Sequence, residues 1–434
     1  MDKMADVLGR AGAWCGQNKY LSAIKNAFQN FMPLTIAGAI GVLWCNVLVN
    51  DQTGLGMFFK PVMALDFLNP AFQAVNFCTI SCITVGITLG IAQEIGVWNM
   101  GAEKAGYIPG LVGLAAWLSV TNTSHMVEGA KEAFTGIAGN ELGATGLFTG
   151  MIIGVLSVEL FCFFEKQDAL KIKMPEQVPP GVARAFEVLV PATITLIITA
   201  CIGSACYNLT GLYLNDVIKN GIQGPLGAVG ATIPGVMIIY LVIMLFWLVG
   251  IHGNNMLSAV KEALFTPLAL ENVEKFNKGE KPTNIINMYA LQMWGEFGGS
   301  GVTIGLVIAI MIFGKREDNK AIATLSLVPG LFNINETVTF GIPMVLNPIL
   351  GIPFVFACLV TILVGYVLTV IGFCPVACLT VPWTTPPLVF GFLATGANIM
   401  GAVTQAILIV VSTVIYTPFL LAYEKYQNKQ AAEA

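Results

Sequence analysis

The sequence predicts an all-α polytopic membrane protein of about ten transmembrane helices, with re-entrant hairpins and interfacial helices. Three observations lead there. Of 434 residues only 11% are charged, against about 25% in a soluble domain, while 56% are apolar. The charges are clustered, which leaves uncharged runs of membrane-spanning length. Those runs are continuously apolar rather than alternating, which selects helices over a β-barrel; only these two structures satisfy their backbone groups in lipid. The same balance excludes a soluble globular enzyme and a disordered chain. A net charge of −4 with no basic stripe excludes nucleic acid as a partner. The 46 Gly and 21 Pro agree, since both are more frequent in membrane helices than in soluble ones.

A helix crosses a hydrocarbon core of ~30 Å with about 20 residues. Met1–Ser22 is polar and of mixed charge, without a cleavable signal pattern. Gly9–Gln29 reads equally as an interfacial helix or a solvated arm. Five uncharged runs then precede residue 216: Asn26–Asn50 (25 residues), Phe67–Gln93 (27), Ala105–Val127 (23), Leu142–Val158 (17) and Val188–Asn215 (28). Each holds one span. A polar, Gly-containing outer loop at 207–227 follows. The 41-residue run Asn220–Val260 holds one full span near Val229–Ile251. Beyond it the pattern is irregular, with shorter runs at Phe297–Gly314 and Ala321–Asn335. An 87-residue run, Thr337–Tyr423, has room for three spans and is broken by Pro343, Pro348, Pro353, Pro375, Pro382, Pro386 and Pro387.

Lys and Arg set orientation. Lys3, Arg10, Lys19 and Lys25 precede the first span, Lys166, Lys171, Lys173 and Arg184 follow the fourth, and Lys425 and Lys429 follow the last. These segments, and so both termini, are expected in the cytoplasm. The Lys315–Lys320 cluster would land outside if Gly301–Phe313 were a simple span. Either the rule fails there or the region is re-entrant. Interrupted apolar segments mark binding sites in transporters, so residues 1–215 are expected to form a scaffold and dimerisation half, and 216–434 a substrate-binding half.

Chemistry must come from a few polar residues. There is no P-loop, and the ten Cys include no C-x-x-C. Two His argue against a zinc enzyme, and no metal or cofactor is expected. An ionisable residue inside a membrane is costly and is a functional candidate by default. His252 sits in Gly250-Ile251-His252-Gly253-Asn254-Asn255, where it could serve a site or merely end a helix; Asn254 and its neighbour offer amides suited to sugar hydroxyls. Glu336 follows Asn333-Ile334-Asn335, between Gly330 and Pro343, as at a hairpin tip or in a capped surface loop. Pro382-Trp383-Thr384-Thr385-Pro386-Pro387 is rigid and non-helical; Trp383 could stack on a pyranose ring or anchor at the interface. Gly298-Gly299-Ser300-Gly301 marks close packing or an opened helix end, with Glu296 just before it. Glu159 reads as structural, and His125 lies in an outer loop.

These stretches resemble, in order along nearly the whole chain, the membrane (IIC) subunit of the sugar phosphotransferase system, lactose/cellobiose/chitobiose branch. The resemblance rests on Asn26-Ala27-Phe28 through Met32-Pro33-Leu34-Thr35-Ile36-Ala37-Gly38, Pro175-Glu176-Gln177-Val178-Pro179 with Val182-Ala183-Arg184, and Gly250-Ile251-His252-Gly253. It continues through Gly298-Gly299-Ser300-Gly301, Asn335-Glu336 with Phe340-Gly341-Ile342-Pro343, Asn347-Pro348 and Pro382-Trp383-Thr384. It implies a homodimer of ten-span subunits, a C-terminal half with two re-entrant hairpins, and sugar bound by His252 and Glu336 with Trp383 lining the site. Asn254, Asn333, Asn335 and Thr384 are the further expected sugar contacts. Glu296 matches no family signature. With no IIA or IIB domain evident, the stand-alone cellobiose or chitobiose type is expected rather than a fused lactose permease.

The implied mechanism is group translocation. A β-linked disaccharide binds between the hairpins, and the substrate half moves across the bilayer. The 6-hydroxyl then meets a phosphocysteine on a separate cytoplasmic IIB protein, itself supplied through IIA, HPr and enzyme I. No phosphoryl group is expected on this chain. The alternatives are an ion-coupled or facilitative sugar transporter without phosphorylation and, last, a membrane-embedded glycosyl- or phosphotransferase.

Overall fold

A computed structural model describes residues 10, 14, 17–51, 55–125, 134–175, 177–225, 230–342 and 344–433. Most of residues 9–16 of the expected interfacial helix, Glu176 and Pro343 lie outside the described residues. The described chain is helical apart from loops and one two-residue hairpin, Ser124–His125 against Phe134–Thr135. It is a multi-pass membrane protein. Among the described residues five helices are long and apolar enough to cross a membrane. Two further pairs reach that length across a bend, Lys60–Ser81 with Ile83–Met100 (42°) and Met288–Val302 with Ile304–Phe313 (60°). Ile108–Val120 and Ile233–Leu248 are shorter apolar helices.

The chain forms two compact units. One comprises Gln17–Gly38 and Ala74–Ala228. It holds the start of α1 (Lys19–Leu43), then α2 (Ile83–Met100), α3 (Ile108–Val120), α4 (Ala144–Glu165) and α5 (Pro180–Thr210). Small residues let these helices approach, as in membrane bundles generally. A Cβ on Gly113 would lie 2.3 Å from that of Ala92, and one on Gly150 2.2 Å from the Thr88 hydroxyl. Ile87, Ile91, Ile95, Leu147 and Phe161 are fully enclosed. Charges are paired: Lys19 with Glu159 at 2.6 Å, and the buried Glu165 with Lys104 at 2.9 Å and Arg184 at 3.0 Å. Glu159 is thereby tied to Lys19 at the start of α1.

The other unit joins Ala39–Gln73 to Val229–Ala434; Asn46, for example, donates to Asn277 at 3.1 Å. Its helices are α6 (Ile233–Leu248), α7 (Ser258–Asn277), α8 (Met288–Gly295), α9 (Ile304–Phe313), α10 (Glu317–Leu331), α11 (Glu336–Gly341), α12 (Gly351–Val370), α13 (Val389–Ala394) and α14 (Ile399–Glu433). Two long helices, α12 and α14, occupy the 87-residue uncharged run whose length allowed three. Prolines 375, 382, 386 and 387 keep most of 371–388 non-helical.

Such a segment leaves its peptide groups without helical partners, and each needs another. Side chains from distant helices supply them. Asn272 and Asn287 both donate to the Ala377 carbonyl, at 3.0 and 3.2 Å. Gln405 Oε1 accepts from the Leu388 and Gly391 amides, at 2.8 and 2.7 Å, and its Nε2 donates to the Met293 carbonyl at 3.2 Å. The Cys378 and Leu379 amides reach the Ala394 carbonyl. Every non-glycine residue with left-handed φ among the described residues lies in this unit: Val302, Asn333, Leu346, Leu388 and Ala397. Strain of this kind collects at functional sites.

Candidate functional site

Three irregular segments of the second unit converge. The first leaves α6. Gly250 has φ +81°, which lets the chain reverse, and the Ile251 amide returns to the Phe246 carbonyl at 3.0 Å. His252 then caps the short turn Gly253–Met256, its Nδ1 accepting from the Asn255 amide at 3.3 Å. A Cβ on Gly253 would lie 2.0 Å from the Ile243 carbonyl oxygen, so only glycine fits. The Trp247 ring packs on the imidazole, centroids 4.4 Å apart.

The second segment follows α8. Gly298, Gly299 and Gly301 all take positive φ, folding Glu296–Val302 into a compact turn. The third runs from α10 to α11: Asn333 is left-handed at φ +63°, and Glu336 opens α11. Asparagines stitch these segments together. Asn254 Nδ2 donates to Ser300 Oγ at 2.9 Å, and Asn335 Nδ2 to the Ser300 carbonyl at 2.7 Å. Asn333 Oδ1 accepts from the Gly298 amide at 2.7 Å, while its Nδ2 donates to the carbonyls of Trp383 and, at 3.1 Å, Thr385.

This stitching brings His252 Nε2 to 3.8 Å from Glu336 Oε1, with 39% and 47% of the two side chains accessible. At that distance they do not hydrogen-bond each other. Because Nδ1 accepts from a backbone amide, the neutral imidazole carries its proton on Nε2. The site therefore presents a donor and a carboxylate acceptor side by side, both reachable by a ligand.

Of the expected contacts, the Asn254, Asn333 and Asn335 amide nitrogens are committed to protein partners. Among the described residues Asn254 Oδ1 is buried with no hydrogen-bond partner. The Trp383 ring is exposed at 43%, and its carbonyl takes the Asn333 bond. Thr384 is half-buried, and no hydrogen bond reaches its side chain among the described residues. Sequence reading passed over Trp247, hidden in an apolar run, Ser300, hidden among glycines, and Lys261, which merely ended an uncharged run. Lys261 is buried and pairs with Glu296 Oε1, which also accepts from the Tyr240 hydroxyl at 2.6 Å. Among the described residues no three His, Cys, Asp or Glu side chains gather to hold a metal ion.

Comparison with known proteins bears on this arrangement. The family model described as "Phosphotransferase system, EIIC" matches residues 25–358. The chain is 33% identical to the oligo-beta-mannoside-specific EIIC component of the phosphotransferase system of Bacillus subtilis (strain 168), over 98% of this chain and 94% of that one. It is 28% identical to the cellobiose-specific EIIC component of Lactococcus lactis subsp. lactis (strain IL1403), over 98% of each. The crystal structure of the transporter ChbC, the IIC component from the N,N'-diacetylchitobiose-specific phosphotransferase system, superposes with a TM-score of 0.88 at 30% identity, covering 97% of each chain.

Proposed function

The chain belongs to the phosphotransferase system EIIC family, and from that premise we propose that it is the permease subunit for a β-linked disaccharide of the cellobiose or diacetylchitobiose type. The observation that carries the reading is the 3.8 Å approach of His252 Nε2 to Glu336 Oε1. A hydroxyl oxygen at about 2.8 Å from both groups closes a triangle over that base. Nε2–H donates to the hydroxyl oxygen, and the hydroxyl proton points at the carboxylate. The relatives named above are specific for β-linked sugars, which supports the substrate class.

In this reading the bound hydroxyl is the sugar 6-hydroxyl, presented to a phosphocysteine on a separate cytoplasmic IIB protein fed by IIA, HPr and enzyme I. The sulfur–phosphorus bond breaks as the oxygen–phosphorus bond forms, and Glu336 draws off the hydroxyl proton. General-base help of this kind is worth roughly 10²–10⁴-fold, and fixing the hydroxyl in line supplies much of the rest. The Trp383 face stacks on a sugar ring, with Thr384 beside it. Asn254, Asn333 and Asn335 hold the segments in place. Residues 1–215 serve as scaffold and homodimer contact, 216–434 carry the sugar, and both termini are cytoplasmic.

Uptake of labelled disaccharide into vesicles, with and without phosphorylated IIB inside, tests this reading. Sugar phosphate formed only with phospho-IIB supports it. Unmodified sugar accumulating irrespective of IIB would overturn it in favour of a transporter without phosphorylation.

A further inference from the structure

Outside the site, the group with most unexplained chemistry is the buried cluster of Lys261, Glu296 and Tyr240. The side chains of Lys261 and Glu296 are only 7% and 17% accessible. Lys261 also lies 5.5 Å from the Tyr240 ring centroid. A lone charge so placed would be costly, so each residue requires the other. A buried pair nevertheless adds little net stability over apolar side chains of similar size. Its use must lie in what it joins.

It joins the segments that carry the site. Tyr240 is on α6, which leads directly into the Gly250–His252 reversal. Lys261 lies on the first turn of α7, and the chain between it and His252 is held throughout. His252 caps the Gly253–Met256 turn, Ser258 Oγ donates to the Asn255 carbonyl at 2.9 Å, and the Lys261 amide bonds the Leu257 carbonyl at 2.9 Å. Glu296 opens the glycine turn, its carbonyl accepting from the Gly299 amide at 3.1 Å. The His252 segment and the glycine turn thus meet at two points, Asn254–Ser300 and Lys261–Glu296. Two points fix an orientation; one leaves a hinge.

We infer that the Lys261–Glu296 pair, with Tyr240, is a positioning device that fixes His252 relative to the Gly298–Gly301 turn, and through Asn335 and Asn333 relative to Glu336. Neither charge touches sugar. This rests on the sugar site proposed above.

The test separates affinity from stability in purified full-length protein titrated with cellobiose and with diacetylchitobiose. Lys261→Met alone strands the carboxylate and lowers the unfolding midpoint. Lys261→Met with Glu296→Gln removes both charges and regains most of the midpoint, since the Tyr240 hydroxyl keeps an acceptor. Its sugar affinity stays about tenfold below wild type, because the second point of attachment is gone. A double variant that recovers affinity along with stability would make the pair merely structural and overturn the inference. If the double variant does not fold, Tyr240→Phe, which keeps the ion pair but loses the hydroxyl's bond to the Glu296 carboxylate, is expected to lower the midpoint by a few degrees and to weaken binding several-fold at a temperature where the variant is fully folded; undiminished affinity overturns the inference equally. Wild-type protein that binds neither sugar, or His252→Gln with wild-type affinity, would instead refute the site itself.

Discussion

Asn333 is the residue on which the convergence of the three segments depends, and three substitutions separate its contributions. Its side chain makes three hydrogen bonds, accepting from Gly298 and donating to Trp383 and Thr385. It does so from a left-handed backbone at φ +63°. Asn333→Gly keeps the backbone free to adopt that conformation and loses all three bonds, a cost of about 3 kcal/mol at roughly 1 kcal/mol each. Asn333→Ala adds the left-handed penalty of about 1 kcal/mol. Asn333→Asp keeps the acceptor for Gly298 but turns a carboxylate oxygen toward two carbonyls, so it costs more than Gly. At about 2–4 °C per kcal/mol for units of a few hundred residues, the unfolding midpoint falls by about 10 °C for Gly, further for Ala and furthest for Asp. Differential scanning fluorimetry of protein in detergent, with saturating disaccharide alongside, measures the order. Equal midpoints for Gly and Ala would refute the backbone account, and an Asp variant no worse than Gly would refute the donor account.

Glu336→Gln keeps the size of the side chain and removes the proton acceptor; phospho-transfer to bound sugar should fall by about 10²-fold or more while affinity changes far less. Equal losses in both would mean the carboxylate only binds. Gly253→Ala drives a Cβ into the Ile243 carbonyl and displaces His252, so sugar affinity should drop by at least about tenfold; a titration matching wild type sinks the role given to this glycine. Gln405→Leu leaves the Leu388 and Gly391 amides without their acceptor, at about 1–3 kcal/mol each. Faster limited proteolysis within 371–388 is expected, and a wild-type cleavage pattern counts against the account of that segment. At the start of α10, the Arg316 guanidinium beside Asp318 holds its carboxyl below the usual range. A depressed folded value adds stability above the ordinary carboxylate pKa of about 3.9, lost as pH falls through the folded value. Arg316→Gln should therefore lower the midpoint slightly at pH 6–8 without changing its slope there, and flatten its decline below about pH 4; an altered slope at neutral pH would contradict it.

Charge spacing made α1, α4, α5, α12 and α14 legible, because a long helix in lipid needs little more than an uninterrupted apolar run. His252 and Glu336 stood out for a related reason: an ionisable group amid uncharged chain demands explanation, and the structure puts the two 3.8 Å apart. The roles of the asparagines were not legible. A carboxamide suits a sugar hydroxyl and a peptide group equally, and the choice depends on which chain segment crosses nearby. Asn272 and Asn287 meet Ala377 about ninety or more positions away, a pairing no local spacing encodes. Lys261 was missed because a charge ending an apolar run looks like a boundary, and only the fold turns it inward against Glu296. The prolines of 375–387 announced a broken helix without saying that Gln405 and Asn333 would satisfy it.

That last point explains why the site takes the form it does. Irregular backbone enclosed among membrane helices has no water to satisfy it, so the amides that could have faced a ligand are drawn into holding peptide groups. Asn333 and Asn335 are consumed in this way, as are Asn272, Asn287 and Gln405. Among the described residues, what stays open to a ligand where the segments meet includes one donor on His252 Nε2 and the carboxylate of Glu336, while Asn254 Oδ1 and Trp247 Nε1 are buried without a partner. Specificity then follows from subtraction. A ligand that satisfies this remainder must accept from an imidazole and donate to a carboxylate through a single small group, which a hydroxyl does and a carboxylate or an ammonium cannot. A carboxylate would meet Glu336 with like charge, and an ammonium would leave the imidazole proton without an acceptor. An uncharged polyol such as a sugar is the class the remainder selects. If an amino sugar with a free ammonium at the presented position bound His252 and Glu336 more tightly than the corresponding neutral sugar, this reasoning would fail at its first step.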